Sequence, residues 1–587
     1  MTRLFHFLLL LPIMIAGAAD AADRTLPIIV EHDVPVKMRD GVILRADIYR
    51  PNAEGKFPVI LQRRYVDKRT VADFGYAAAA RGYVAIVQDI RGRFASGGDF
   101  YPFRDEANDG YDTVEWAAAL PYSNGKVGMW GASYVGVSQI QTAMAHPPHL
   151  AGICPMVTGS DYHNGWIYQG GAFEQMFAES WTGSMAQDTF SRYIAGNTKT
   201  VLEKWHPPSD FDLFNFPPLS ANHALSAKIA PYFFDWLAHP NDDEYWKRWS
   251  APDHFAEINV PALHMAAWYD IFQGGSLENY IGLKAHGGPA ARAQQRLIVI
   301  IGGHSGGGRK IGDVDFGPDA DQWDETAVVL DWYDYIIKGI HNHFAEDKPV
   351  KIFVMGINRW RQEDDWPIPG AQTTRYFLHS NGKANSLKGD GSLSTDQPQT
   401  EKPDRYTYDP KNPTPTLGGQ VLGYQPGGPY DQRPVEARKD VLVYSTPPMA
   451  EDTEVTGPIS LELYASSSAV DTDFTGKLVD VAPDGYARNL TDGILRARYR
   501  ISQETPTLMT PGRIYKFTID LWSTSNVFLK GHSLRLEVSS SNFPRFDRNM
   551  NTGKEQATAR QSVPALNTIF HDAAHPSALL LPIIPQK

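Results

Sequence analysis

A single cysteine, Cys154, is all that this 587-residue chain carries. That excludes an internal disulfide framework, so packing alone must hold the fold. Cys154 lies in the apolar run Ala151-Gly152-Ile153-Cys154-Pro155 and reads as a small buried hydrophobe. Positive charge is short as well: 55 lysines and arginines face 67 aspartates and glutamates, a formal net charge of −12. Without a basic face the chain is not expected to bind nucleic acid. No run of like charge is long enough for an interaction tail, and no internal repeat or low-complexity tract is visible. Long apolar runs are missing beyond the N-terminus, so no later segment reads as membrane-spanning.

What is present is ample core material. Hydrophobic residues make up 42% and aromatics 12% of a chain too long for one core, which predicts roughly three domains. The N-terminus reads as an export signal. Arg3 supplies the positive start, Leu4 to Ile15 the short apolar stretch, and Ala16-Gly17-Ala18 or Ala19-Asp20-Ala21 the small-residue cleavage site. Residues 1–21 are therefore expected to be removed, leaving a periplasmic or secreted protein with no membrane partner.

From Ile28 to Pro155 apolar strands (Phe57 to Gln62, Tyr83 to Val87) alternate with helical stretches (Ala72 to Arg81, Tyr111 to Leu120). Strands joined by crossover helices predict a mostly parallel sheet covered on both faces. The pattern resumes from Val260 and ends in the amphipathic stretch Trp323 to Ile337. Between the halves, residues 158–258 are rich in Trp, Phe, Tyr and Met and look helical, which predicts a cap inserted at the carboxyl edge of the sheet. After about Gly370, short alternating runs such as Arg375 to Leu378, Ile459 to Tyr464 and Leu534 to Val538 predict a jelly-roll β-sandwich. The fold class expected is thus α/β: core at 22–157 and 259–370, cap at 158–258, jelly roll at 371–587.

The strongest chemical signal is Gly131-Ala132-Ser133-Tyr134-Val135-Gly136. Gly125 to Trp130 reads as a buried strand and Val135 to Ala145 as a helix, so Ser133 falls on a tight strand-to-helix turn that exposes a nucleophile. The usual turn of this kind has glycine two places after the serine; here Val135 stands there and the glycine comes one later. Two further strand ends supply partners in the order serine, acid, histidine. Val260 to Trp268 leads to Asp270, and Arg296 to Ile301 leads to His304, both at the edge where open α/β sheets do chemistry. His304 would act as base and acid, and Asp270 would hold its tautomer. Metal and cofactor sites are not expected: His341 and His343 alone make no zinc site, and the glycine-rich Gly302 to Gly308 lacks the lysine of a phosphate loop.

Several segments together resemble the cocaine esterase-like branch of the serine hydrolases. That branch includes X-prolyl dipeptidyl peptidases, α-amino-acid ester hydrolases and glutaryl-cephalosporin acylases. The segments are Gln88 to Gly97 (QDIRGRFASG), the Ser133 turn with its displaced glycine, Trp268-Tyr269-Asp270, Phe353 to Gly356, Ser467 to Phe474 and Ser539 to Pro544. The resemblance implies the same order of core, cap and jelly roll. It also implies an oxyanion hole made by the Tyr134 backbone N–H and a tyrosine hydroxyl after the first core strand. Tyr65 takes that place in Arg63-Arg64-Tyr65-Val66, although the family's preceding proline is absent and the tyrosine comes one place earlier. Trp181 and Phe272, with Leu422 of the β domain, are the implied pocket residues. Gly303 stands where relatives often carry a bulky residue, which would loosen the His304 loop.

The implied activity is hydrolysis of a small-molecule carboxylic ester through an acyl-enzyme. The nearest rivals are amide cleavage by an X-prolyl dipeptidyl aminopeptidase or a β-lactam or glutaryl acylase. Where relatives that bind an α-amino group carry acids, this chain reads Gly165-Trp166-Ile167-Tyr168, which disfavours such substrates. Glu174 and Glu179 lie nearby and read either as solvated helix charges or as substitutes for those acids. A non-catalytic carbohydrate-binding protein built on the jelly roll is the alternative from another class, and homo-oligomers occur among the relatives.

Overall fold

The computed structural model describes residues 27–194, 219–221 and 228–585. The expected signal segment, 1–21, and part of the expected cap lie outside the described residues. Among the described residues no helix is long and apolar enough to cross a membrane.

The first large sheet is built from β1 (Ile28–Lys37), β2 (Ile43–Pro51), β3 (Phe57–Arg64), β4 (Val84–Asp89), β5 (Ser123–Ala132), β6 (Leu150–Met156), β7 (Ala262–Tyr269), β8 (Gln295–Gly303), β9 (Val350–Val354) and β10 (Arg359–Glu363). Their spatial order is β1-β2-β4-β3-β5-β6-β7-β8-β9-β10. From β4 to β9 all neighbours are parallel, and the outer pairs are antiparallel.

The parallel strands are apolar almost without interruption because both faces are covered. Alternate residues serve opposite faces. Val59 and Leu61 pack with Val114, Ala117 and Ile140, whereas Ile60 packs with Phe74, Ala78, Trp332 and Tyr333. The helices supplying those residues are α1 (Ala72–Ala80), α2 (Glu106–Ala118), α3 (Tyr134–Met144) and, after the cap, α6 (Glu325–Ile336). Helix α2 starts five residues before the expected Tyr111. Gly110 falls inside α2, where α3 packs so closely that a Cβ at Gly110 would lie 2.8 Å from that of Thr142. Close packing against α3, not a turn, explains that glycine.

The cap leaves β6 as irregular chain and a two-residue hairpin, Tyr168–Gln169 with Ala172–Phe173. Only then come α4 (Gln175–Ile194) and a short helix, Pro231–Ala238. The described cap is therefore less helical than its composition suggests. Chain returning to the core continues through α5 (Gln273–His286).

From Gln372 to Ile583 the strands form a second, almost wholly antiparallel system folded into a sandwich, in which Thr453–Ser467 pairs with Tyr515–Phe528 and Asp473–Val481 with both of its neighbours. Leu461, Leu463, Phe474, Phe517, Ile519 and Leu536 fill its interior. The sandwich also straps the cap. The Asp547 N–H donates to the Phe173 carbonyl at 2.9 Å, the Phe173 N–H donates to the Asp547 carboxylate at 2.8 Å, and the Met176 N–H donates to the carbonyl of Pro544 at 3.0 Å.

Candidate active site

Ser133 stands between β5 and α3, as the cap of the helix, with φ 63° and ψ −131°. A left-handed φ at a residue bearing a Cβ is strained and persists only where its surroundings enforce it. Here they do. The Ser133 N–H donates to the Met156 carbonyl at 2.9 Å, and its own carbonyl accepts from the N–H groups of Gly136 and Val137 and from Thr158 Oγ1 at 2.8 Å. Gly131 has φ 135°, and a Cβ there would press on Val135 and Gln62. A Cβ at Gly136 would lie 2.7 Å from that of Thr158, so the displaced glycine lets the helix start touch the loop after β6.

The other two side chains leave neighbouring strands at the same edge. Register fixes this: Ala132 pairs with Met156, Met156 with Met265, and Gly303 with Tyr269. Residues following β5, β7 and β8 must then emerge together. Asp270 is fully buried, and its Oδ1 lies 2.7 Å from His304 Nδ1. An ionised carboxylate only accepts, so Nδ1 carries the proton and Nε2 offers a lone pair. Asp270 Oδ2 has no partner among the described residues. Phe272 meets the His304 ring edge-on at 5.2 Å, and Ser133 keeps 5% exposure. Gly303 does not loosen this loop: it pairs with Gly306 in a tight hairpin, Gly303–Gly306 and Gly302–Gly307.

Tyr134 is the first residue of α3, so its N–H has no carbonyl one turn earlier and is an orphan donor beside Ser133. Its side chain faces elsewhere, with the hydroxyl accepting from the Phe103 N–H at 2.7 Å and donating to Glu106 at 3.2 Å. Burial, with Glu106 nearby, holds that phenol well above its ordinary pKa, so it stays neutral. Glu106 in turn receives the fully buried Arg63 at 2.7 Å. Arg63 thereby anchors the end of β3, and two residues on stands Tyr65. The Tyr65 ring is half-buried, 5.6 Å from the Tyr134 ring and 6.0 Å from that of Trp181. Its hydroxyl bonds to nothing among the described residues.

Trp181, Phe272 and Leu422 all join one aromatic cluster with Tyr65, Tyr134 and Trp166. Trp166 stacks on Phe272 at 4.0 Å with the planes 6° apart. Reading the sequence, Trp166 signified only a missing acid; its stacking role, like the Thr158 bond to Ser133, depends on tertiary contacts that leave no local pattern. Glu174 and Glu179 are not solvated helix charges. Both are buried, at 2% and 1% exposure. Glu174 lies 3.5 Å from Arg545, and burial lifts its pKa to about 7. The hairpin and the sandwich strap close over them, which the composition of the cap could not reveal.

The chain is similar to known proteins over nearly its whole length. The X-Pro dipeptidyl-peptidase (S15 family) profile matches residues 40–306, and the X-Pro dipeptidyl-peptidase C-terminal non-catalytic domain matches 342–580. Cocaine esterase of Rhodococcus sp. (strain MB1 Bresler) is 39% identical, over 94% of this chain and 98% of that protein. Among solved structures, an aminopeptidase from a marine sediment Thaumarchaeota archaeon superposes with TM-score 0.81 at 23% identity, over 96% of this chain and 97% of its own. An α-amino acid ester hydrolase superposes with TM-score 0.79 at 24% identity, covering 97% and 99%. These two likenesses speak for the fold. The sequence match over nearly the whole chain, with the two family matches, shows the family: the chain belongs to the X-Pro dipeptidyl-peptidase (S15) family of serine hydrolases, alongside cocaine esterase.

Proposed function

We propose that the chain hydrolyses small-molecule carboxylic esters through an acyl-enzyme on Ser133. The observation that carries this reading is the 2.7 Å contact of His304 with buried Asp270 at the sheet edge where Ser133 sits strained. In the first half-reaction Ser133 Oγ attacks the ester carbonyl while His304 Nε2 takes the hydroxyl proton. The carbonyl oxygen becomes an oxyanion, received by the Tyr134 N–H and the Tyr65 hydroxyl. Collapse breaks the ester C–O bond, and His304 returns its proton to the leaving alcohol. Water then attacks the acyl group by the same route, releasing the acid and restoring Ser133.

The walls favour an apolar, aromatic acyl group. Phe272, Trp166, Trp181 and Leu422 pack in one cluster with Tyr65 and Tyr134, and Phe272 meets the His304 ring, while the cap carboxylate of Glu174 is turned to Arg545. Glu179, the other buried carboxylate of the cap, accepts from Gln175 at 3.3 Å, and this engagement of both carboxylates within the protein ranks aminopeptidase and β-lactam acylase activity below ester hydrolysis. Rates on an aryl ester of benzoic acid, an aminoacyl ester and a proline-containing dipeptide amide test the ranking. Ester cleavage leading supports it; faster amide cleavage reverses it. The N-terminal pattern around Arg3 and Leu4 to Ile15 supports export, tested by N-terminal sequencing of the protein recovered outside the cytoplasm.

A further inference from the structure

Arg93 lies in the QDIRGRFASG segment after β4 and takes no part in the chemistry above, yet it is 1% exposed. A buried guanidinium is costly unless its donors are met. Its nearest carboxylate, Asp188, is 3.6 Å away. The strong contacts are instead to backbone. Nε donates to the carbonyl of Tyr65 at 2.9 Å, and Nη1 donates to the carbonyl of Met185 on α4 at 2.8 Å. The guanidinium also lies over the ring of Phe100, 5.1 Å from its centroid, and that ring lies 6.2 Å from Trp181. One side chain thus ties the Tyr65 backbone, the cap helix and the wall of the acyl pocket. The loop is docked on α4 independently, since Asp188 accepts the Phe94 N–H at 3.1 Å and Arg192 donates to the carbonyls of Phe94 and Ser96. Attaching the cap therefore does not by itself require Arg93. What Arg93 adds is the bond to Tyr65.

We infer that Arg93 is a positioning residue for the oxyanion site: by holding the Tyr65 carbonyl against α4 it fixes where the Tyr65 hydroxyl stands when the tetrahedral intermediate forms. The inference rests on the proposed donor role of Tyr65. Oxyanion donors act only if they stand where charge develops, and misplacement by about 1 Å can cost roughly a hundredfold in rate. An arginine that merely filled space would, when replaced, lower stability and leave kcat of the folded protein unchanged.

The test compares wild type, Arg93→Met, Tyr65→Phe and the double variant on one aryl ester, with kcat and KM measured separately. Active serine is counted by titration with a fluorophosphonate, so unfolded protein does not enter the rates. Arg93→Met is expected to lower kcat roughly ten- to a hundredfold with KM changed less than about threefold. In the Tyr65→Phe background the same substitution should cost less than about twofold, because the group it positions is gone. Arg93→Lys, which reaches one carbonyl but not two, should recover part of kcat. Equal factors in the two backgrounds, or an unchanged kcat in Arg93→Met, would overturn the inference. Should Arg93→Met fail to fold, Arg93→Lys in the same two backgrounds decides the question by the same criterion. A Tyr65→Phe protein with wild-type kcat defeats the oxyanion reading itself, an outcome distinct from additivity between the two sites.

Discussion

Asp270 gives His304 Nδ1 one carboxylate oxygen at 2.7 Å and keeps the other buried without a partner among the described residues. The pair is therefore an orienting contact whose spare acceptor capacity costs the folded state. Replacing the carboxylate by an amide keeps the shape and reverses the hydrogen bond, because the amide NH2 would hold Nδ1 as acceptor and put the proton on Nε2. Asp270→Asn is expected to lower kcat by on the order of 10³–10⁴ while the protein melts at or above the wild-type temperature. Steady-state kinetics and thermal unfolding on the same preparation check both halves.

Tyr65 has no partner for its hydroxyl among the described residues, and its ring lies 5.6 Å from that of Tyr134. Tyr65→Phe should cost about 2.7–4 kcal/mol of transition-state stabilisation, a fall of roughly 10²–10³ in kcat. KM should change little, since the donor meets charge that develops after binding. A loss confined to KM would instead mark the hydroxyl as a ground-state contact.

Gly136 is the position where the turn after Ser133 meets Thr158, whose hydroxyl donates to the Ser133 carbonyl. A methyl group there must displace Thr158. Gly136→Ala should destabilise by about 1–3 kcal/mol and also slow acylation, seen as a lower rate of fluorophosphonate labelling per folded molecule. Thr158→Val, which removes the hydroxyl and keeps the volume, should slow labelling with a smaller loss of stability.

Glu174 predicts a pH dependence with a definite sign. Burial, opposed by Arg545, lifts its pKa from 4.5 to about 7. The folded state thus holds this proton more tightly than the unfolded chain, and stability present below pH 4.5 is lost as pH rises through about 7. At about 1.4 kcal/mol per pH unit the loss is on the order of 3 kcal/mol. Glu174→Gln should remove it, so denaturant unfolding at pH 5 and pH 8 should differ less in the variant than in wild type. An equal difference in both proteins would place the titration elsewhere.

Ser133, Asp270 and His304 were legible because each follows an apolar strand, and strand order with parallel register puts their loops at one edge. The sandwich was legible from two-residue alternation, as in Leu461, Leu463 and their neighbours. What escaped was whatever depends on contact across the chain. Glu174 looks solvated until Arg545, 371 positions further on, covers it. Trp166 acquires meaning only by stacking on Phe272. Arg93 gave no local signal because its partners are carbonyl groups, which every residue has.

The most direct test of the account is rapid mixing of the enzyme with an aryl ester of benzoic acid, quenched in acid and followed by peptide mass spectrometry. The account predicts a burst of about one acyl group per active site, carried on Ser133 and absent from Ser133→Ala. An acyl group on another residue, or an equal burst from Ser133→Ala, would contradict it.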